Sequence, residues 1–299
     1  MISLCARIAL TLALFAMLGT MDARVCHLEA LDRYSELDPP GLTPELFAPE
    51  IFSESNYREY VYVILPDRMA CVFDRHADHG FPQGEIFISE FMEGRWTEPE
   101  LFDVLSQYDS VFLPTISPDG SRWFFTSESI EPPGGARGRI PLFYLEKNDT
   151  GWGEPRYIGQ HIHASATTDG TLFLIVESRD WNRPAFRLLV DGDYSEYQFF
   201  EPAEYFMEND AHLVVDPQGA YVIFDSQSRP RIGECRLFVS FRTPDGTWTK
   251  PASMGKYIEQ RAAMAWISHD GKYVFYKADD EVYWVSAQIV EELRSEEPE

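Results

Sequence analysis

Turn anchors spaced 52, 50, 49 and 52 residues apart, a Trp-x-x-Pro marker that keeps nearly the same beat, and about four short apolar runs per interval predict an all-β fold, a five-bladed β-propeller. The anchors are Pro66-Asp67, Pro118-Asp119, Thr168-Asp169, Pro217-Gln218 and His269-Asp270. The marker reads Trp96-Thr97-Glu98-Pro99, Trp152-Gly153-Glu154-Pro155, a weakened Tyr194-Ser195-Glu196-Tyr197, and Trp248-Thr249-Lys250-Pro251. Independent domains or a sandwich have no reason to keep one period.

The second unit shows the parts most plainly. Residues 112–116 (FLPTI) are an apolar run, Ser117-Pro118-Asp119-Gly120 is a turn, and residues 122–126 (RWFFT) are an aromatic-rich second run. In the turn Pro presets φ, Asp can bond the backbone ahead, and Gly accepts positive φ. A polar loop with Pro132, Pro133, Gly134 and Gly135 leads to a third run at 142–145 (LFYL), and Pro155 then suits a sheet edge.

At the N-terminus, Arg7 precedes an apolar run at 8–18 that is too short to span a bilayer, so residues 1–23 read as a secretory signal. Residues 24–40 read as a leader, 41–290 as one propeller domain and 291–299 as a charged tail. The expectation is a periplasmic or secreted monomer without a membrane span after signal cleavage. Pro44-Glu45-Leu46-Phe47 repeats Pro99-Glu100-Leu101-Phe102, yet no first three strands precede it, while the last repeat lacks a fourth strand. The N-terminal segment 41–53 is therefore expected to supply the outer strand of the last blade and close the ring, hiding open sheet edges. Residues 288–294 place Ile289, Val290 and Leu293 on one side of a short helix.

The net charge of −24 makes nucleic acid a poor partner. Outside the signal the cysteines are Cys26, Cys71 and Cys235, an odd number without CxxC or CxxH spacing. Cys71 and Cys235 fall in strand runs of different blades and read as buried, unpaired thiols.

The Ser117-Pro118-Asp119-Gly120 turn followed by Trp123-Phe124-Phe125-Thr126-Ser127 resembles the TolB-like, WD-type propeller repeat of exported bacterial proteins. Gly246-Thr247-Trp248-Thr249-Lys250-Pro251 and Val282-Tyr283-Trp284-Val285 are similar to that family's later strands. The resemblance covers residues 41–290 and implies the fold, since repeats of this type serve several functions. TolB carries an additional α/β domain for which this chain has no room, so its pairing with a peptidoglycan-associated lipoprotein does not follow. The third repeat departs from the pattern, with Tyr197 where Pro would stand.

With strands running outward from the channel, the loops after second strands share one face. They are residues 74–85, 127–140, 177–185 and 225–234, which hold Arg75, Arg137, Arg139, Arg179, Arg183, Arg229 and Arg231. That is 7 of the 20 arginines in 45 of 299 residues, an excess of the planar donor that suits carboxylate, phosphate or sulfate groups. The competing reading pairs each arginine with an acidic residue of its own or the adjacent blade. His163 and His212 each stand six residues before a turn anchor, equivalent positions on adjacent inner strands, with His161 and Asp210 nearby. Two imidazoles at the channel suit a ligand, a metal or a proton-transfer pair, or else buried hydrogen-bonded histidines; Val61, Leu113 and Met264 hold the position in the other blades. His76, Asp78 and His79 read as solvated loop residues.

There is no G-x-S-x-G elbow, no H-E-x-x-H and no glycine-rich phosphate loop, and no cofactor motif. The catalytic layout that remains is the five-bladed glycoside hydrolase, for which Asp109 and Asp210, with Glu177 or Asp225, could converge on a sugar. The favoured reading is an exported, non-enzymatic binding module with a protein or glycan partner on the loop face, through Arg75, Arg179, Arg183, Arg229, Arg231, His163 and His212.

Overall fold

In the computed structural model the described residues are 34, 37–52, 57–77, 84–135, 141–161, 163–177, 182–207 and 209–296. The signal at 1–23 and most of the leader lie outside them. The chain divides into Met1–Pro39 and Pro40–Glu299, and the second unit holds the propeller.

Five antiparallel sheets form the blades of a ring. From the channel outward, blade 1 runs Tyr57–Ile64, Ala70–Ala77, Gly84–Met92 and Glu100–Leu101. Blade 2 runs Val111–Ile116, Arg122–Ser127, Pro141–Asn148 and Arg156–Gln160. Blade 3 runs Ala164–Ala166, Leu172–Glu177, Asn182–Arg187 and Gln198–Phe199. Blade 4 runs Asp210–Val215, Tyr221–Ser226, Leu237–Phe241 and Ala252–Ser253. Blade 5 runs Ala263–Ile267, Tyr273–Ala278 and Glu281–Ser286, and takes its outer strand, Glu45–Leu46, from the N-terminal segment.

The turn chemistry expected from the anchors forms in blades 2 to 5. Ser117 Oγ donates to Asp119 Oδ1 at 2.5 Å, the same carboxylate oxygen accepts the Ser121 N–H at 3.0 Å, and Gly120, at φ 70°, donates back to Ser117 O. Thr167–Asp169 and Ser268–Asp270 repeat this pattern. In the fourth blade Asp216 does the same work from the first position, accepting from the Gln218 and Ala220 N–H groups at 3.0 Å each. These four turns are thus closed by their own side chains, which is why the period survives in sequence.

The closing strand pairs Glu45 with Trp284 and Leu46 with Tyr283. It covers two residues, and a short helix, Pro49–Phe52, follows it just as Asp103–Ser106 follows the matching strand of blade 1. Phe47, next to the strand, is almost wholly buried and meets Phe275 and Trp284 of blade 5 and Trp96 of blade 1, with ring centroids 5.0, 5.4 and 5.6 Å away. One aromatic side chain therefore spans the seam between the last blade and the first.

Three details differ from the expectation. The Trp-x-x-Pro marker precedes the outer strand instead of forming it: Trp96 pairs with Phe91 in a short hairpin strand, and the outer strand starts beyond Pro99, because Pro cannot donate to the ladder. The final helix continues into the charged tail as Gln288–Glu296, with Ile289, Val290 and Leu293 buried against blades 4 and 5. The second strand of blade 1 reaches Ala77 and the third strand of blade 3 starts at Asn182, so Arg75 and Arg183 stand on strands and not in loops. Cys71 and Cys235 are buried and free, and burial pushes the Cys235 thiol up to about 11. Among the described residues no helix is long and apolar enough to cross a membrane.

Phe47→Ala is expected to cost about 3–5 kcal/mol, because a buried aromatic is removed from a seam that no other strand closes. Leu46→Ala, at a position 45% exposed, is expected to change stability by about 0.5 kcal/mol or less. Urea denaturation of the two variants checks the contrast.

Candidate functional site

The inner strands are not regular. In blades 1, 2, 4 and 5 the register slips between Glu59 and Tyr62, Phe112 and Thr115, Ala211 and Val214, and Ala263 and Trp266. Leu113, His212 and Met264 sit at these bulges with φ of 53°, 46° and 51°, a conformation that L side chains with a Cβ rarely adopt. They stand six residues before the turn anchors, as do Val61 and His163. A bulge re-aims a side chain and frees backbone groups from the ladder, and this one does both on the channel.

Residues seven positions after the anchors capture the freed groups across the blade boundary. Asp74 Oδ2 accepts the Leu113 N–H at 3.2 Å, and Asp225 Oδ2 accepts the Met264 N–H at the same distance. Lys277 Nζ donates to Glu59 O, which carries the device from blade 5 back to blade 1. His163 performs it between blades 3 and 4, its Nδ1–H donating to Leu213 O at 3.2 Å. His212 donates through Nδ1 to Asp225 Oδ2 at 2.7 Å.

His163 and His212 are brought together as expected, along a small cavity of about 10 Å³ that Tyr62, Met264, Trp266 and Phe275 also line. That volume holds about one water molecule. His161 lies elsewhere, between Ile175 O at 3.1 Å and the Tyr197 hydroxyl at 2.8 Å. Burial, the largest influence on both, lowers His161 and His163 to about 4, so both imidazoles are neutral at physiological pH.

The arginines separate into two groups. Arg75 Nε donates to Glu59 Oε1 at 2.9 Å and Arg75 Nη2 to Ile51 O at 3.1 Å, over the cross-strand pair Phe73 and Phe87. Arg229 repeats this in blade 4, with Asp210 and Tyr205 O as acceptors and the cross-strand pair Phe224 and Phe238 beneath it. Both ion pairs are buried. Burial raises Glu59 despite Arg75, as expected where desolvation competes with attraction. Arg183 is part-exposed, 3.5 Å from Glu201 and above the Phe199 ring. Arg231 is exposed and has no ion-pair partner among the described residues. Arg137, Arg139, Arg179, Asp78 and His79 lie outside the described residues.

Of the carboxylates of the glycosidase layout, three can be placed, and the Glu177 side chain lies outside the described residues. Asp109 is exposed, Asp210 is bound to Arg229, and Asp225 is shared between His212 and the Met264 N–H. His76 is buried against Asp74, Nε2 to Oδ2 at 3.4 Å, and not solvated in a loop, because the second strand of blade 1 carries it inward. Among the described residues no group of three or more His, Cys, Asp and Glu is placed to hold a metal. Sequence reasoning missed the bulges and the inter-blade bridges. The signal that could have found them is the 39-residue step, shared by Asp74 to Leu113 and Asp225 to Met264.

No family model and no curated protein sequence matches the chain. Among solved structures it is similar to TolB from Acinetobacter baumannii, at 13% identity and a TM-score of 0.47 over 76% of this chain and 54% of that one. It is likewise similar to a protein of unknown function from Dyadobacter fermentans (14%, 0.49, over 79% and 78% of the two chains). A gluconolactonase from Xanthomonas campestris stands at 13% and 0.44, over 72% and 68%. The chain spans about half the length of that TolB. At these identities and TM-scores no activity and no partner is carried over.

The buried imidazoles set an acid limit. His161 and His163 have folded-state values near 4 against 6.5 when solvated, so the unfolded chain binds more protons between these pH values. Their contribution is complete above pH 6.5 and is lost as pH falls toward 4. Melting temperature is expected to drop over that interval, and His161→Gln is expected to flatten the drop; differential scanning calorimetry at stepped pH measures both.

Proposed function

We propose that the chain is an exported binding module, acting in the periplasm or outside the cell, which engages an anionic or polyhydroxylated partner on its loop face and turns over nothing. The observation that carries this is the loop after the second strand of blade 4. Its base is fixed, since Arg229 is held by Asp210 and Tyr205 O, and the Arg236 N–H donates to Ala262 O of the next blade. Its tip is presented, with Arg231 exposed and Ile232 54% exposed beside it. A guanidinium and an apolar side chain on a preorganised support are what binding surfaces use, because little freedom remains to be lost on association.

The absence of turnover is supported by the state of the buried carboxylates. Asp210 and Asp225 accept from Arg229, His212 and a backbone amide, so each already serves as a brace within the ring. Export is supported by the basic residue and apolar run at the start of the sequence.

Arrays of sulfated and carboxylated glycans and acidic peptides test the reading. Arg231→Ser combined with Ile232→Ser is expected to weaken binding of any hit about 10–100-fold, with an unchanged melting temperature. Arg229→Ser, in contrast, is expected to cost about 3–5 kcal/mol of stability, because it leaves Asp210 buried and unpaired. Reproducible hydrolysis of a glycan by the wild-type chain, or no binding across the arrays, overturns the proposal.

A further inference from the structure

We propose that Asn148 is the acceptor for an N-linked glycan, carried on a hairpin of blade 2. This rests on the export part of the proposed function, because transferases of that class act beyond the cytosol, and it does not depend on the loop-face reading. Asn148-Asp149-Thr150 is the one place in the sequence where an asparagine has Ser or Thr two residues on, and no Pro stands between them. Glu146, two residues earlier, completes the longer Asp/Glu-x-Asn-x-Ser/Thr pattern that single-subunit bacterial transferases read.

Such a tripeptide is common in sequences, so its setting in the fold has to decide. Asn148 pairs with Gly151 across a two-residue hairpin, and residues 147–151 are all exposed. Asn148 Oδ1 accepts both the Thr150 N–H at 2.9 Å and the Thr150 hydroxyl at 2.8 Å. The amide oxygen is thus fully engaged, while Nδ2 is left without a hydrogen-bond partner. Two donors on Oδ1 draw electron density toward oxygen and make the Nδ2 protons easier to lose, which is the activation that an amide nucleophile needs.

The turn itself does not call for an amide. Elsewhere the chain closes the same contact with aspartate: Asp119 accepts from the Ser121 N–H, Asp169 from the Thr171 N–H, and Asp245 from both the N–H and the hydroxyl of Thr247. The last of these lies in the corresponding hairpin of blade 4, just before Trp248. A carboxylate is the stronger acceptor in such a turn. What asparagine adds in blade 2 is the exposed Nδ2.

In the transfer, Nδ2 attacks the anomeric carbon of an oligosaccharide carried on a polyprenyl pyrophosphate. The N–C bond forms as the C–O bond to the pyrophosphate breaks, the pyrophosphate leaves with the electron pair, and one Nδ2 proton passes to a base of the transferase. The Lys147 N–H donates to Ser121 O at 2.8 Å, so the hairpin lies beside the turn between the first and second strands, at the end of the blade away from the second-strand loops. A glycan there leaves Arg231 uncovered.

The folded, purified chain is incubated with a purified single-subunit oligosaccharyltransferase and its polyprenyl-pyrophosphate-linked oligosaccharide, and intact mass is read. One glycan per chain is expected, mapped to Asn148 by peptide mass spectrometry. Asn148→Asp is expected to keep the melting temperature, since Asp245 closes its turn in the same way, and to lose the added mass. Thr150→Val is expected to lose it too, and Thr150→Ser to retain it. No added mass, a glycan that persists in Asn148→Asp, or modification only after the chain is unfolded overturns the proposal. Expression in cells carrying the transferase separates this from export: a chain that keeps residues 1–18 sinks the export reading, whereas a processed chain without glycan overturns the acceptor site.

Discussion

The propeller depends on how its blades satisfy one another's backbone at the channel. Inner strands of adjacent blades share no ladder, and the bulges leave N–H and C=O groups without partners in their own sheets. A buried backbone group left unpaired costs as much as a lost hydrogen bond, so each boundary needs a bridge. Asp74 bridges blades 1 and 2, and Thr115 Oγ1 bridges 2 and 3 by donating to Ala164 O at 2.8 Å. His163 bridges 3 and 4, Asp225 bridges 4 and 5, and Lys277 returns to blade 1. The ring is closed by polar contacts at its axis as well as by Phe47 at its rim.

That requirement explains why so much charge is buried in an otherwise apolar core. Asp74 and Asp225 are buried because the amides they accept from are buried, and Asp225 then carries His212 as a second partner. Glu59 and Asp210 follow the same logic one step further out, each neutralised by an arginine laid over a cross-strand phenylalanine pair. Such pairs contribute little net stability against an apolar replacement, but breaking one leaves a stranded charge worth about 3–5 kcal/mol. Their effect here is to fix where the second-strand ends sit, and with them the bases of the loops.

What could be read from the sequence is what local chemistry writes there. The Ser117-x-Asp119-Gly120 turn closes on itself within five residues, so its recurrence reports the blade period directly. The closing strand was legible because Pro44-Glu45-Leu46-Phe47 copies Pro99-Glu100-Leu101-Phe102, and in both the Phe N–H completes the edge, to Val282 O and to Ile86 O. The fate of Arg75 and Arg229 was not legible. Whether an arginine turns toward Glu59 or toward solvent is decided by a partner on another strand, and composition counts it the same way in either case. The bulges were hidden for a related reason: Leu113 and Met264 look like ordinary strand residues, and the carboxylates that support them lie a blade away.

Leu113 also separates what the fold requires at the channel from what it merely tolerates. Leucine at φ 53° meets the backbone requirement of the bulge in blade 2, and an aspartate from the preceding blade takes up its N–H. Met264 repeats that arrangement with a different side chain and the equivalent aspartate. The backbone device is thus indifferent to the side chain it carries. An imidazole six residues before the anchor brings a desolvation penalty even in blade 3, which has no bulge, as the lowered value of about 4 at His163 records, and leucine would bring none. Two histidines and a methionine at this position in blades 3, 4 and 5 are therefore a choice that the propeller scaffold leaves open.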